Sequence, residues 1–385
     1  MDPSPIYLDH AATTPLAPGV AAAMAPFLAE AFGNPSSRHP LGVRAARALE
    51  EARGCVARIL GTAPAGIVFT AGGTEANNLA VQGLARARRR DGRHVVVGPT
   101  EHPSVRQAAA ALAEEGFEVE TARLGADGGL DLDGFASLLR PDTVLVAQML
   151  VNNEFGTVYP IARLARIVRA RAPRAALHVD AVQGPGKLEV SLAGLGADSL
   201  AIAAHKLHGP KGAGALALAP GARPRPLLFG GGQEHGLRSG TENVAGCVGL
   251  ARALAIADER LAATRAALAG FRTILAGIVA EIPGARLLAP GGELSPAIVA
   301  LVLPPPPAEV WLHHLEARGV LASAGSACHA KTHEISPAFR ALGFGEAEAR
   351  GMVRFSFSRT TAEAEVRAAG ERLREVAREL GGARR

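Results

Sequence analysis

Two stretches carry residues that could do chemistry together. Leu177-His-Val-Asp180-Ala-Val-Gln183 and Ser199-Leu-Ala-Ile-Ala-Ala-His205-Lys206 are each an apolar run of strand length that stops on polar residues. In an open α/β sheet, ligands bind beyond the carboxyl ends of the strands, so the Asp180 carboxylate and the Lys206 amine are expected in one crevice. That pairing suits pyridoxal phosphate, whose aldehyde condenses with a lysine while an acid keeps its ring nitrogen protonated. Taken singly, a solvated strand end and a surface lysine would be plainer readings. Lysine is sparse here, however, and Lys206 stands after His205 and before the turn Gly209-Pro-Lys-Gly212.

The elements that position these groups follow from hydrophobic period and breaker residues. Strands are expected at 6–8, 67–70, 93–98, 143–149, 297–303 and 320–323, and helices at 18–31, 41–60, 309–318 and 362–381. After the strand at 67–70 comes Ala-Gly72-Gly73-Thr74-Glu75-Ala-Asn-Asn78, with a helix expected from about Leu79. A strand, a glycine turn and a helix start together present backbone N–H groups and a positive dipole end to an anion. The alternation from 67 to 218 predicts a mostly parallel sheet covered on both faces. An Ala-rich helical segment from Asn243 to about Val279 would connect to a smaller domain.

Composition bounds the classes of function. With 385 residues, 48% of them hydrophobic and 20% charged, the chain can bury a large core as a soluble globular protein of two domains. A formal charge of +5, with arginines scattered along helical segments, gives nucleic-acid binding little support. The start, Met-Asp-Pro-Ser-Pro, lacks a secretory pattern, and no run of about 18 to 20 apolar residues is expected to cross a bilayer, which points to the cytoplasm. The three cysteines form no Cys-x-x-Cys pair, which argues against a disulfide framework and a structural zinc site. Cys55 and Cys247 lie on helix-like apolar faces and read as small buried hydrophobes. Cys328 follows the small residues Ala324-Gly-Ser-Ala, precedes a polar stretch, and neighbours His329 and Lys331. That setting describes a mobile loop whose thiolate is favoured.

The motifs His178-Val-Asp180-Ala-x-Gln183, Ala204-His205-Lys206-x-x-Gly-Pro-Lys-Gly212 and Gly325-Ser-Ala-Cys328 resemble those of the cysteine desulfurases, fold-type I pyridoxal phosphate enzymes related to class V aminotransferases. The resemblance runs from Ile6-Tyr-Leu-Asp-His-Ala-Ala-Thr-Thr-Pro15 to Arg354-Phe-Ser-Phe-Ser-Arg359. It implies an α/β fold with a large, mostly parallel seven-stranded sheet domain at 16–255, and a smaller α+β domain from 1–15 and 256–385 that carries the cysteine loop.

The resemblance also assigns roles. Lys206 would bind the cofactor aldehyde and Asp180 its ring nitrogen, with Gln183 and His205 beside them. Gly73 and Thr74 would cradle the phosphate, and His102 would stack on the ring and shuttle protons. Asn153 would lie near the cofactor's phenolic oxygen and the substrate carboxylate, which Arg354, expected at the start of a strand, would hold in a fork. Asn152 and Glu154 read equally well as turn-forming residues. Thr241, in the run Gly230-Gly-Gly232 to Arg238-Ser-Gly-Thr241, would reach the phosphate of a neighbouring subunit, making a homodimer obligatory. Cys328 would attack the sulfur of L-cysteine, leaving alanine and a persulfide that the loop carries to an acceptor protein, an iron–sulfur scaffold or another sulfur carrier. The only metal contact implied is a transient iron–sulfur ligation by Cys328.

Two departures stand out. Ala203 replaces a serine that serves many relatives as a phosphate ligand, a loss of about 1 kcal/mol. The sequence also ends at Gly-Gly-Ala-Arg-Arg385, short of the longer tail with which housekeeping members engage a scaffold, so the acceptor stays open. The alternatives are a selenocysteine lyase, since Cys328-His329 followed by Ser336-Pro337 resembles that enzyme's loop, and a catalytically idle subunit that only binds a sulfur carrier.

Overall fold

The computed structural model describes residues 5–325 and 336–382. Its elements run β1 (Ile6–Tyr7), α1 (Pro18–Ala29), α2 (Pro40–Leu60), β2 (Ile67–Thr70), α3 (Gly73–Ala87), β3 (His94–Val97), α4 (Pro103–Glu114), β4 (Glu118–Thr121), α5 (Leu132–Leu138) and β5 (Thr143–Ala147). They continue with β6 (Thr157–Val158), α6 (Ile161–Arg171), β7 (Ala176–Asp180), α7 (Leu192–Leu195), β8 (Ser199–Ala203), β9 (Gly214–Leu218), α8 (Val244–Glu259), α9 (Leu261–Leu268) and α10 (Phe271–Val279). The last are β10 (Arg286–Leu288), β11 (Glu293–Leu294), β12 (Ile298–Val302), α11 (Ala308–Ala317), β13 (Val320–Leu321), α12 (Pro337–Ala341), α13 (Glu346–Arg350), β14 (Met352–Ser356) and α14 (Glu363–Gly382).

Continuous apolar strands such as His94-Val-Val-Val and Ala176-Leu-His-Val have no polar face to offer water, so they pair in the middle of a sheet with helices on both sides. Seven strands do so in the order β2-β9-β8-β7-β5-β3-β4. Only β9 runs against its neighbours β2 and β8, so the other six strands point one way and their carboxyl ends gather along one edge. The exposed Glu118 of β4 marks the outer edge and discourages further pairing. One layer, with α3 and α4, buries Leu79, Leu84, Val105 and Leu112 against the sheet; the other buries Val56, Leu60, Leu164, Leu250 and Leu254.

A second, smaller core forms where the antiparallel sheet β10-β12-β14 meets α10, α11 and α14, packing Phe271, Leu275, Trp311, Leu315, Phe355 and Leu373. The amino terminus joins this body because β1 pairs in parallel with β13, Ile6 opposite Val320.

Four expectations change. The helix after the glycine turn starts at Gly73, six residues before Leu79. Asn77 and Asn78 read as turn residues, yet here Asn78 Nδ2 bonds back to the Thr74 carbonyl and the Asn77 amide is saturated by buried partners, which offsets their poor helix propensity. The connector is broken into α8, α9 and α10 near Arg260 and Gly270. Within it, 261–279 is long and apolar enough to cross a bilayer by length and composition, contrary to expectation. Its apolar residues Leu268, Phe271, Leu275 and Val279 pack into the smaller core, and Arg272 donates to the Ile298 carbonyl at 2.9 Å, so one face of the segment belongs to the folded body while the rest stays at its surface. Finally, Arg354 sits in the middle of β14, not at its start.

Candidate active site

Lys206 closes a 3-10 turn, Ala204–Lys206, directly after β8. Its ammonium donates to the carbonyls of Ala11 and Ala12 at 2.5 and 2.6 Å, and Gln183 Nε2 donates to the same Ala11 carbonyl at 2.9 Å. The amino-terminal segment is thereby tied to the lysine from nearly 200 residues away. Thr14 strengthens the tie, bonding to the His205 carbonyl at 2.8 Å and accepting from the His208 N–H at 2.7 Å. His205 Nδ1 lies 3.2 Å from Thr13 Oγ1.

Asp180 ends the neighbouring strand β7 and is 7% exposed. Its two oxygens accept from the Val182 N–H at 3.0 Å and from Asn77 Nδ2 at 2.8 Å. Opposite, α3 begins without a side-chain cap, leaving backbone N–H donors at Gly73 and Thr74 for an anion. Gly72 enters the helix at φ 155°, ψ −177°, a conformation open essentially to glycine alone. A Cβ on Gly73 would lie 2.7 Å from Val182 Cγ2 and 3.6 Å from Ala203 Cβ, so the helix start is pressed against the ends of β7 and β8. An uncapped helix start, a buried carboxylate and a lysine thus meet at one edge, and they suit a phosphate, a ring nitrogen and an aldehyde respectively.

His102 caps α4 on the same edge, its Nδ1 accepting from the Ser104 N–H at 3.2 Å and lying 2.8 Å from Ser104 Oγ. Glu101 beside it is buried, with Oε1 accepting from the Met149 N–H at 2.6 Å. Burial, assisted by the Asp180 charge, pushes its carboxyl well above the usual range. Asn152 braces its turn, Oδ1 accepting from the Glu154 and Phe155 N–H groups. Glu154 accepts from Ser336 Oγ at 2.8 Å, and burial raises its pKa. Asn153 meets Arg354 through its backbone: Arg354 Nη1 donates to the Asn153 carbonyl and Nη2 to Asp9, each at 2.7 Å. The two residues expected to hold a substrate carboxylate are therefore adjacent, and the two arms of the guanidinium are already held by the Asn153 carbonyl and by Asp9.

Thr241 is exposed at the end of a glycine-rich loop on which Phe229 is 83% exposed. Cys247 is buried and its thiol is pushed up by that burial, whereas Cys55 is half-buried. Cys328 lies outside the described residues.

Lys187 carries no sequence signal beyond its closeness to Gln183, yet it is buried and donates to the backbone carbonyl of Lys206 at 3.3 Å. Burial, with Lys206 adding repulsion, pushes Lys187 down to about 7. His10, His205 and His208 face the same cluster and are each pushed to about 4, first by burial and in part by Lys187. Among the described residues, no carboxylate pairs with Lys187. Between pH 7 and 10.5 the unfolded chain binds a proton at Lys187 that the folded chain does not, so stability rises with pH across that window. A drop from 10.5 to about 7, at about 1.4 kcal/mol per unit, is worth on the order of 5 kcal/mol. Lys187→Met is expected to be more stable than the parent at pH 7 and to lose this slope, as measured by urea unfolding at pH 7 and 9.5.

The sequence matches the Aminotransferase class-V family over residues 6–368. It is 38% identical over 370 residues to Cysteine desulfurase IscS 1 of Archaeoglobus fulgidus, covering 96% of this chain and 95% of that protein. Among solved structures, a NifS-like protein superposes with a TM-score of 0.90 at 34% identity, covering 97% of this chain and 99% of the other. The structure described as SspA in complex with cysteine gives a TM-score of 0.78 at 32% identity, covering 91% and 98%. Sequence match, fold and the gathering of Asp180, Lys206 and the α3 start agree: the chain belongs to the cysteine desulfurase family of class-V aminotransferases.

Proposed function

We propose that this protein is a pyridoxal-phosphate-dependent cysteine desulfurase that converts L-cysteine to L-alanine and hands the sulfur to an acceptor protein in the cytoplasm. The observation that carries this reading is the packing of Gly73 against Val182 and Ala203, which brings the α3 start, Asp180 and Lys206 to one edge. When bound, the cofactor withdraws electrons from the substrate and so stabilises negative charge on its carbon atoms. Asp180, oriented by Asn77 and the Val182 N–H, would face the ring nitrogen, while Gly73 and Thr74 would bind the phosphate. His102, on the adjoining loop, would cover the ring.

Lys206 would leave the Ala11 and Ala12 carbonyls to bind the aldehyde and, once released, move the substrate proton. Arg354 and Asn153 would hold the substrate carboxylate, a role supported by the bond that joins them. The Cys328 thiolate would then attack the substrate sulfur. An S–S bond forms, the C–S bond breaks with its electron pair left on carbon, and protonation there gives alanine. Thr241 would complete the site of a second copy of the chain, in keeping with its exposed loop and the bare Phe229 ring.

The test is to mix the purified protein with L-cysteine, alkylate, and map persulfide while counting alanine. One alanine per persulfide at Cys328 is expected, and none with Lys206→Ala. Alanine formation without persulfide at Cys328 would overturn the assignment of the nucleophile. Turnover of selenocysteine but not of cysteine would instead make the protein a selenocysteine lyase.

A further inference from the structure

Asn77 was not among the residues that the sequence marked for chemistry, yet it is 1% exposed and lies between two that were. The protons around it can be placed by elimination. A backbone N–H can only donate, and that of Ser104 points at His102 Nδ1, so Nδ1 is an acceptor and neutral His102 carries its proton on Nε2. Ser104 Oγ, 2.8 Å from the same nitrogen, must then donate to it, and it accepts from Asn77 Nδ2 at 2.8 Å. The other proton of that amide goes to Asp180 Oδ2, also at 2.8 Å. This orientation leaves Asn77 Oδ1 to accept from His178 Nε2 at 3.0 Å. His178 in turn receives the Ser199 hydroxyl on Nδ1 at 2.9 Å, and its full burial keeps it neutral. Each polar atom of the amide has a partner, and a flip would set its oxygen against a carboxylate.

We propose that Asn77 is a positioning residue whose single amide fixes the Asp180 carboxylate and, by directing the Ser104 hydroxyl, the second of the two donors on His102 Nδ1, so that the two groups cannot reorient independently. The inference rests on the reading that Asp180 and His102 face the cofactor. It goes beyond that reading by naming the group that couples them. The amide reaches four elements: it stands on α3, Asp180 and His178 are on β7, Ser104 is on α4, and Ser199 on β8 anchors the far side.

The test uses Asn77→Leu, which keeps the volume and deletes the amide, and Ser104→Ala, which cuts only the branch to His102. Nitrogen NMR of histidine-labelled protein reads the tautomer and, through the Nδ1 shift, the number of donors on that nitrogen, with His102→Gln identifying the signal. The pH midpoint of the visible absorbance of the cofactor-loaded protein reads the Asp180 side. Asn77→Leu is expected to move both readouts and to lower kcat by roughly ten- to hundred-fold, the usual loss when a partner orienting a reactive group is removed. KM should change by less than about threefold. Ser104→Ala is expected to move the His102 signal alone, and it serves by itself should the leucine variant fail to fold. If the His102 Nδ1 shift is unchanged in Ser104→Ala, or if Asn77→Leu changes only the melting temperature, the coupling is wrong. If the His102 signal responds but Lys206→Ala leaves the visible absorbance of the loaded protein intact, the cofactor reading fails and the role of the amide stands.

Discussion

Cys328→Ser is expected to bind the cofactor with the parent's visible absorbance and to release no sulfur from L-cysteine, a fall of on the order of a thousandfold or more, the scale seen when a nucleophile is removed. A serine hydroxyl is similar in size but stays protonated near neutral pH and attacks sulfur poorly, so binding survives while transfer does not. The measurement is sulfide or persulfide formed per cysteine consumed, alongside the absorbance spectrum. Sulfide at the parental rate would remove Cys328 from the reaction. Loss of the absorbance would mean that the cysteine supports the cofactor rather than attacks the substrate.

Glu234→Gln should unfold at markedly lower urea concentration, with a loss of about 3 to 5 kcal/mol, because it leaves a buried guanidinium with only the exposed Glu50 as a charged partner. Arg53 and Glu234 are both almost fully buried and share a bidentate pair at 2.8 Å, and Glu234 also accepts from the Phe69 N–H at 2.7 Å. Burial works against the Arg53 charge, but the bonds from Glu234 and Glu50 outweigh it and hold its proton more tightly than usual. The clasp fastens the glycine-rich loop to β2 and sustains left-handed backbone at Glu234 and His235, φ 49° and 58°, which non-glycine residues adopt at a cost. A second tie, Arg238 to Glu75 at 2.9 Å, joins the loop to the first turn of α3. Replacing both partners, Arg53→Met with Glu234→Leu, should recover much of the stability, since an apolar pair leaves no charge unpaired. Equal losses in the single and double variants would assign the stability to packing instead of to the pair.

What the sequence determined by itself is the alternation of apolar strands and helices, and with it a mostly parallel sheet and reactive groups at strand ends. Asp180 and Lys206 were legible because strand period and strand termination are local properties, written within a few residues of each group. Gly73 was legible as part of a glycine turn, although the start of its helix was not, since Asn77 and Asn78 favour turns until buried partners satisfy them. The tertiary structure decided everything that joins distant positions. Asn77 meets Asp180 across 103 residues, Arg53 meets Glu234 across 181, and Arg354 meets Asp9 across 345. No local spacing encodes such pairs. The same holds for proton affinities: Lys187 looks like any lysine in a sequence, and only removal from water beside a second amine brings it to about 7. Side-chain type and order are properties of the chain, whereas desolvation and partnership are properties of the fold, and those two govern whether a charged group can do chemistry.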